Sequence, residues 1–235
     1  MSGTVLVVEG ETPLGRALVH AFRQERWRVV TTHRKTERSD SAADGPDVLR
    51  IPWGKASSVS ARNVLLKTLT AHQRLDLAVF PFSPALKRVL LHEAEYSEME
   101  QAVDEWVLGT LFLLREVLGQ LVRQGKGLLA LVQGHVAGAM GVHPPLEALV
   151  RGGLTGLGHS LLLSYGGGEV GVCRFETESA SLDGYAQFVT RKLFGATSRD
   201  HGRTWRFRER PTLLDRVRSL GVRGRKARLR EPESP

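Results

Sequence analysis

The chain has one cysteine, Cys173, among 235 residues. That excludes an intrachain disulfide, and a reducing cytoplasm is the simplest compartment to expect. No apolar run reaches 18 residues, and stretches such as "LLALV" and "LLL" are too short to span a bilayer as a helix. The opening "MSGTVLVVEG" has neither a basic start nor a small-residue cleavage pattern, so no secretory leader is expected. No cysteine or carboxylate stands at metal-ligand spacing from His135 or His143, so no metal is expected and both histidines read as loop residues. Tyrosine is scarce as well. There are three, Tyr96, Tyr165 and Tyr185, and the residues four places after them are Glu100, Glu169 and Val189. No Tyr-x-x-x-Lys occurs anywhere in the chain.

A hydrophobic content of 41% is enough for one sizeable core, and α/β chains of this length often form a single domain. The net charge of +8 is unevenly placed: residues 199–230 hold twelve Arg or Lys against three Asp or Glu. The chain therefore divides into a folded domain, 1–210, and a basic C-terminal tail, 211–235, read as partly disordered. Such a tail can contact nucleic acid or another acidic partner, but it lacks interleaved aromatics, and a solvated end is the simpler reading.

Strand and helix patterns alternate along the chain. "TVLVV", "WRVVTT", "VLRIPW", "LDLAVFPF", "GLLALVQG", "EVGVCRFE" and "TWRFRE" read as strands. Between them lie "LGRALVHAFRQE", with apolar residues at helical spacing, "SSVSARNVLLKTLTAHQ" with a serine N-cap, and a long helix over 98–124. "PPLEALVRGGLTGLGHSLLLSYGGG" begins with helix-starting prolines and ends in a glycine stop, and "LDGYAQFVTRKLFG" is a last helix. The expected architecture is α/β: a single-domain, Rossmann-like, doubly wound parallel sheet of about seven strands in three α/β/α layers.

Several segments together resemble the short-chain dehydrogenase/reductase family over about Thr4 to Arg208. "VVEGETPLGRALVHAF" resembles the family's cofactor loop and first helix. "LLALVQGHVAG" resembles the strand that carries the catalytic serine, and "LEALVRGGLTGL" resembles the Tyr-x-x-x-Lys helix. The resemblance implies an NAD(P)-dependent oxidoreductase fold, with tyrosine, lysine, serine and asparagine as the catalytic set. In the register set by Gly153, Leu154, Gly156 and Leu157, those positions hold Glu147, Arg151, Gly134 and Trp106. Glu147 is a carboxylate with no proton to give at neutral pH unless buried, and Arg151 favours its ionised form through an i,i+4 ion pair. Arginine does not titrate, glycine has no hydroxyl, and His135 is the substitute beside Gly134.

The cofactor loop "GETPLG" keeps Gly10 and Gly15, with Thr12 between them. It is shorter than the family's usual loop, and Pro13 removes a backbone N–H. Glu9 and Glu11 put negative charge where a pyrophosphate would sit, and would repel it. His33, Arg34 and Lys35 resemble a grip on a 2′-phosphate, which makes NADP the cofactor to expect if there is one. A solvated basic turn is the plainer reading, and no cofactor is the primary expectation. Cys173 reads as a core thiol, and Ser160 and Ser164 as helix-face residues.

Two functions follow as expectations. The first is a non-catalytic member of this fold that acts by protein binding, as a homo-oligomer through helices 98–124 and 145–165, whose apolar content exceeds the need of one sheet face. The alternative is an atypical NADP-dependent oxidoreductase with a remodelled site. His135, Glu147 or a water would carry the proton there, and Arg34 and Lys35 would hold the 2′-phosphate.

Overall fold

The interior strands are apolar at successive positions, so the sheet needs cover on both faces. The computed structural model describes residues 3–34, 48–84, 86, 87, 89–134, 143–165, 168 and 170–209. The expected basic tail, 211–235, together with Lys35 and His135, lies outside these residues. Seven strands form one parallel sheet in the order β3-β2-β1-β4-β5-β6-β7. They are β1 Thr4–Val7, β2 Arg28–Arg34, β3 Val48–Trp53, β4 Leu77–Phe82, β5 Gly127–Gln133, β6 Val170–Thr177 and β7 Thr204–Phe207. The helices are α1 Pro13–Gln24, α2 Ser58–His72, α3 Tyr96–Ala102, α4 Gly109–Gln124, α5 Pro145–Ser164 and α6 Leu182–Phe194.

The period of two along each strand sorts its side chains between the layers. Val5, Val7, Leu77, Val79, Cys173 and Phe175 pack with α1 and α6. Leu6, Val8, Ala78, Phe80, Leu129 and Leu131 pack with α2, α4 and α5. Strand order reverses between β1 and β4, which are paired from Val5↔Leu77 to Val7↔Val79. Doubly wound sheets bind ligands above the strand C-termini at such a reversal.

The helix expected over 98–124 is interrupted. A wider π-helical turn, Val103–Leu108, separates α3 from α4. The extra residue per turn re-aims the side chains of that segment, and π-turns of this kind recur at functional sites. Helix α5 is also unusual. Of its 20 residues only Val150, Leu154 and Gly158 are buried. Leu149 and Leu163 are exposed, and a Cβ added at Gly152, Gly153 or Gly156 would meet nothing. No helix among the described residues is long and apolar enough to cross a membrane.

The β1–α1 turn is the tightest point of the fold. A Cβ at Gly15 would lie 2.1 Å from the Glu9 carbonyl oxygen, and one at Gly10 would lie 2.0 Å from Thr31 Oγ1. Gly15→Ala is expected to cost about 1–3 kcal/mol, because the backbone itself must shift. Gly119→Ala in α4, where the nearest atom is a flexible arginine tip at 3.5 Å, is expected to gain about 0.5–1 kcal/mol. Urea unfolding of the two variants beside the parent chain measures both.

Candidate functional site

The β1–α1 turn is built from its own side chains. Thr12 Oγ1 donates to the Glu9 carbonyl at 2.9 Å and accepts from the Gly15 N–H at 3.1 Å, capping α1. Arg16 N–H bonds to the Thr12 carbonyl, and Pro13 has no N–H. On the other side of the turn, the Glu9 N–H donates to Thr32 Oγ1 at 2.8 Å and the Gly10 N–H to the Thr32 carbonyl at 2.9 Å. At the N-terminus of α1, where a phosphate would be held, the Gly15 and Arg16 N–H groups are bonded to Thr12. Gly10, Thr12 and Gly15 therefore form one packed structural unit.

Glu9 corrects the expectation of a repelling surface carboxylate. Its backbone is left-handed, with φ 57°, and its side chain turns inward. Its Oε1 lies 2.5 Å from Lys55 Nζ, and both residues are buried, at 4% and 7% exposure. Burial pushes the Glu9 carboxyl above its ordinary range, and the Lys55 ammonium pulls against that shift. Lys55 Nζ also sits 3.6 Å from the centre of the Trp106 ring and 5.8 Å from that of Trp53, so the cation faces two indoles. Trp106 therefore lies over the ends of β1 and β3 at the ammonium, delivered there by the π-helical turn. Its neighbour Glu105 takes an ion pair from Arg34, the residue expected to hold a 2′-phosphate. Nothing in the sequence spacing pairs Glu9 with Lys55. The only trace is that each lies just past the C-terminus of a strand.

The other half of the crevice is open. A cavity of about 570 Å³ lies over the ends of β5, β6 and β7, and Gly134, His143, Arg151 and Thr155 are part of its lining. Arg151 Nε donates to Glu147 Oε1 at 2.8 Å, the i,i+4 pair expected from the spacing. The same oxygen lies 2.9 Å from His143 Nδ1. His143 is a loop residue, but it is bonded into the cleft. Across the cavity, Glu176 takes Arg174 and Arg206, the latter at 3.0 Å. Gln133 Nε2 donates to Thr155 Oγ1 at 2.7 Å. A Cβ at Gly134 would come 3.0 Å from Ser83 Oγ, so the hydroxyl beside the expected serine position belongs to another strand end. Sequence reading missed Ser83 and Lys55 as parts of the site.

No tyrosine enters this cleft. Tyr96 is exposed, Tyr165 closes the C-terminus of α5, and buried Tyr185 donates to the Gln133 carbonyl at 3.0 Å. Burial raises the Tyr185 hydroxyl and the Cys173 thiol far above their ordinary ranges. Cys173 is a core thiol facing the Leu129 carbonyl. Ser160 and Ser164 are exposed on α5. No metal-ligand cluster occurs among the described residues.

The fold and this cleft can be set beside known proteins. The chain superposes on serine dehydrogenase from Escherichia coli with a TM-score of 0.73 at 17% identity, covering 87% of this chain and 96% of that one. Against the 3-ketoacyl-(acyl-carrier-protein) reductase from Brucella melitensis, solved in complex with NADH, the TM-score is 0.74 at 14% identity, with the same coverage. In sequence it is 25% identical over 157 residues to serine 3-dehydrogenase of Agrobacterium fabrum (strain C58 / ATCC 33970). The chain shares the fold of these dehydrogenase and reductase structures. The sequence match spans 65% of the chain and 60% of that relative's length, and no family model matches. Within this fold, the expected catalytic positions Trp106, Gly134, Glu147 and Arg151 do not converge. The last three lie at the open cleft, and Trp106 lies at the buried Lys55.

Removing one member of a buried ion pair leaves the other charge stranded. Lys55→Met is expected to cost about 3–5 kcal/mol, and adding Glu9→Gln to recover much of that loss. A double-mutant cycle by urea unfolding measures the coupling.

Proposed function

We propose that this short-chain dehydrogenase/reductase-like protein works by binding, without the tyrosine-dependent hydride transfer of the fold it shares. The observation that carries this reading is the Glu147 carboxylate, which holds both Arg151 and His143 where a tyrosine–lysine pair would act. Glu147 Oε1 serves there as the acceptor of an ion pair with the Arg151 guanidinium. In the dinucleotide half of the crevice the N–H groups of Glu9, Gly10, Thr12, Gly15 and Arg16 are bonded within the protein, which supports a turn that does not take a pyrophosphate. With NAD⁺ or NADP⁺ and L-serine or short 3-hydroxy acids, no reduced dinucleotide is expected to accumulate above the protein-free rate. A protein-dependent rate abolished by Glu147→Gln would overturn the proposal.

The second reading, an atypical NADP-dependent oxidoreductase, is favoured by the relatives, which are dehydrogenases and a reductase, one of them solved with NADH. In that reading His135, which lies outside the described residues, Glu147 or a water carries the proton, and His143 stands 2.9 Å from Glu147 Oε1 at the cavity. Titration with NADPH and NADH, read by their fluorescence, separates the two. Saturable binding accompanied by turnover favours the enzyme.

We further propose that the binding surface is a homodimer face on α4 and α5. Leu108 and Leu111 on and beside α4, and Leu149 and Leu163 on α5, remain exposed in the single chain. Gly153 has open space for a side chain, so Gly153→Glu leaves the monomer unstrained. The parent chain is expected to sediment at twice the monomer mass and Gly153→Glu at the monomer mass.

A further inference from the structure

The two halves of the crevice differ in what fills them. Over β5–β7 there is a cavity of about 570 Å³, whereas over β1–β3 the described side chains enclose a buried ion pair, with a smaller cavity of about 220 Å³ beside Arg34, Glu105 and Trp106. Glu9 follows β1, Arg34 ends β2, and Lys55 comes two residues after Trp53, the last residue of β3. Glu105 and Trp106 reach them from the π-helical turn beside α4. In a doubly wound sheet this is the region above the strand C-termini where the adenosine end of a dinucleotide lies, with its ribose at the end of the second strand. Here that strand end is Arg34, and its guanidinium is tied across the crevice to Glu105.

We infer that this chain occupies its own adenosine subsite, with Lys55 as the cation between Glu9 and Trp106 and the Arg34–Glu105 pair bridging above. The ammonium lies 2.5 Å from the carboxylate and 3.6 Å from the ring centre, which leaves no layer for an adenine between them. Lys55, Trp106, Trp53 and Glu9 are all below 9% exposure, so these four side chains pack directly on one another, and the cavity of about 220 Å³ beside Trp106 lies on the Arg34–Glu105 side. At the N-terminus of α1 the Gly15 and Arg16 N–H groups are spent on Thr12. What is bound must therefore fit the cleft over β5–β7. Its class is a small polar molecule, taken by Arg151, Arg206 and Thr155 without an adenosine handle. This goes beyond the proposed function, which concerns the absence of tyrosine-dependent hydride transfer and a homodimer face, by saying what fills the adenosine half.

The test uses the full chain with ADP, 2′,5′-ADP and NADPH as probes, read by calorimetry. The parent chain is expected to show no saturable binding up to about 1 mM. The variant Glu9→Ser/Lys55→Ala/Glu105→Gln removes both charges of the buried pair together and frees Arg34. It is expected to bind 2′,5′-ADP at least about tenfold more tightly than the parent. Saturable binding of any probe to the parent chain overturns the inference, as does a folded triple variant that binds no better. If the triple variant does not fold, Glu105→Gln alone decides, since that pair is partly exposed. Tighter 2′,5′-ADP binding supports self-occupancy, and unchanged binding overturns it. NADPH binding to the parent without turnover overturns this inference and leaves the proposed function standing.

Discussion

A buried ammonium needs a carboxylate, and the Glu9–Lys55 pair meets that need at the point where the first turn of the fold is most crowded. Glu9 can face inward only because its backbone is left-handed, a conformation that costs a non-glycine residue roughly 1–2 kcal/mol. The same residue lends its carbonyl to Thr12 and its N–H to Thr32. The ion pair, the helix cap and the β1–β2 contact are thus fixed by one residue. Trp106 completes the arrangement by lying against the ammonium, and the π-helical turn is what lets a helix on one side of the sheet deliver that ring.

This constraint divides the crevice. Above β1–β3 the described residues include the buried Glu9–Lys55 pair and the Arg34–Glu105 pair. The half above β5–β7 is open and polar, with two glutamates each holding two basic groups. Fold likeness to dehydrogenases and reductases describes the scaffold and does not by itself fix the function.

Much of the scaffold was legible along the chain. Strand runs such as "VLVV" and "LAVFPF" are buried on both faces and say so through unbroken apolar composition. Gly10 and Gly15 announced a tight turn, and the four-residue spacing of Glu147 and Arg151 announced their ion pair. The missed features share one physical cause. Glu9 and Lys55 are 46 residues apart in sequence and meet only because β1 and β3 end at the same edge of a parallel sheet. Ser83 comes beside Gly134 in the same way, across the β4–β5 ladder. The residues 103–108 carry an ordinary helical pattern, and a π-turn there is decided by what the ring of Trp106 packs against.

By itself, then, the sequence determined the layer order, the parallel sheet and the absence of a Tyr-x-x-x-Lys pair, because these depend on local composition and spacing. Only the tertiary structure decided that a glutamate expected to repel a ligand instead anchors a buried lysine, and that a tryptophan at a catalytic position serves the other half of the crevice. Charge in a sequence has a sign but no environment. Burial and the nearest opposite charge set what it does, and both come from strands and helices brought together by the fold.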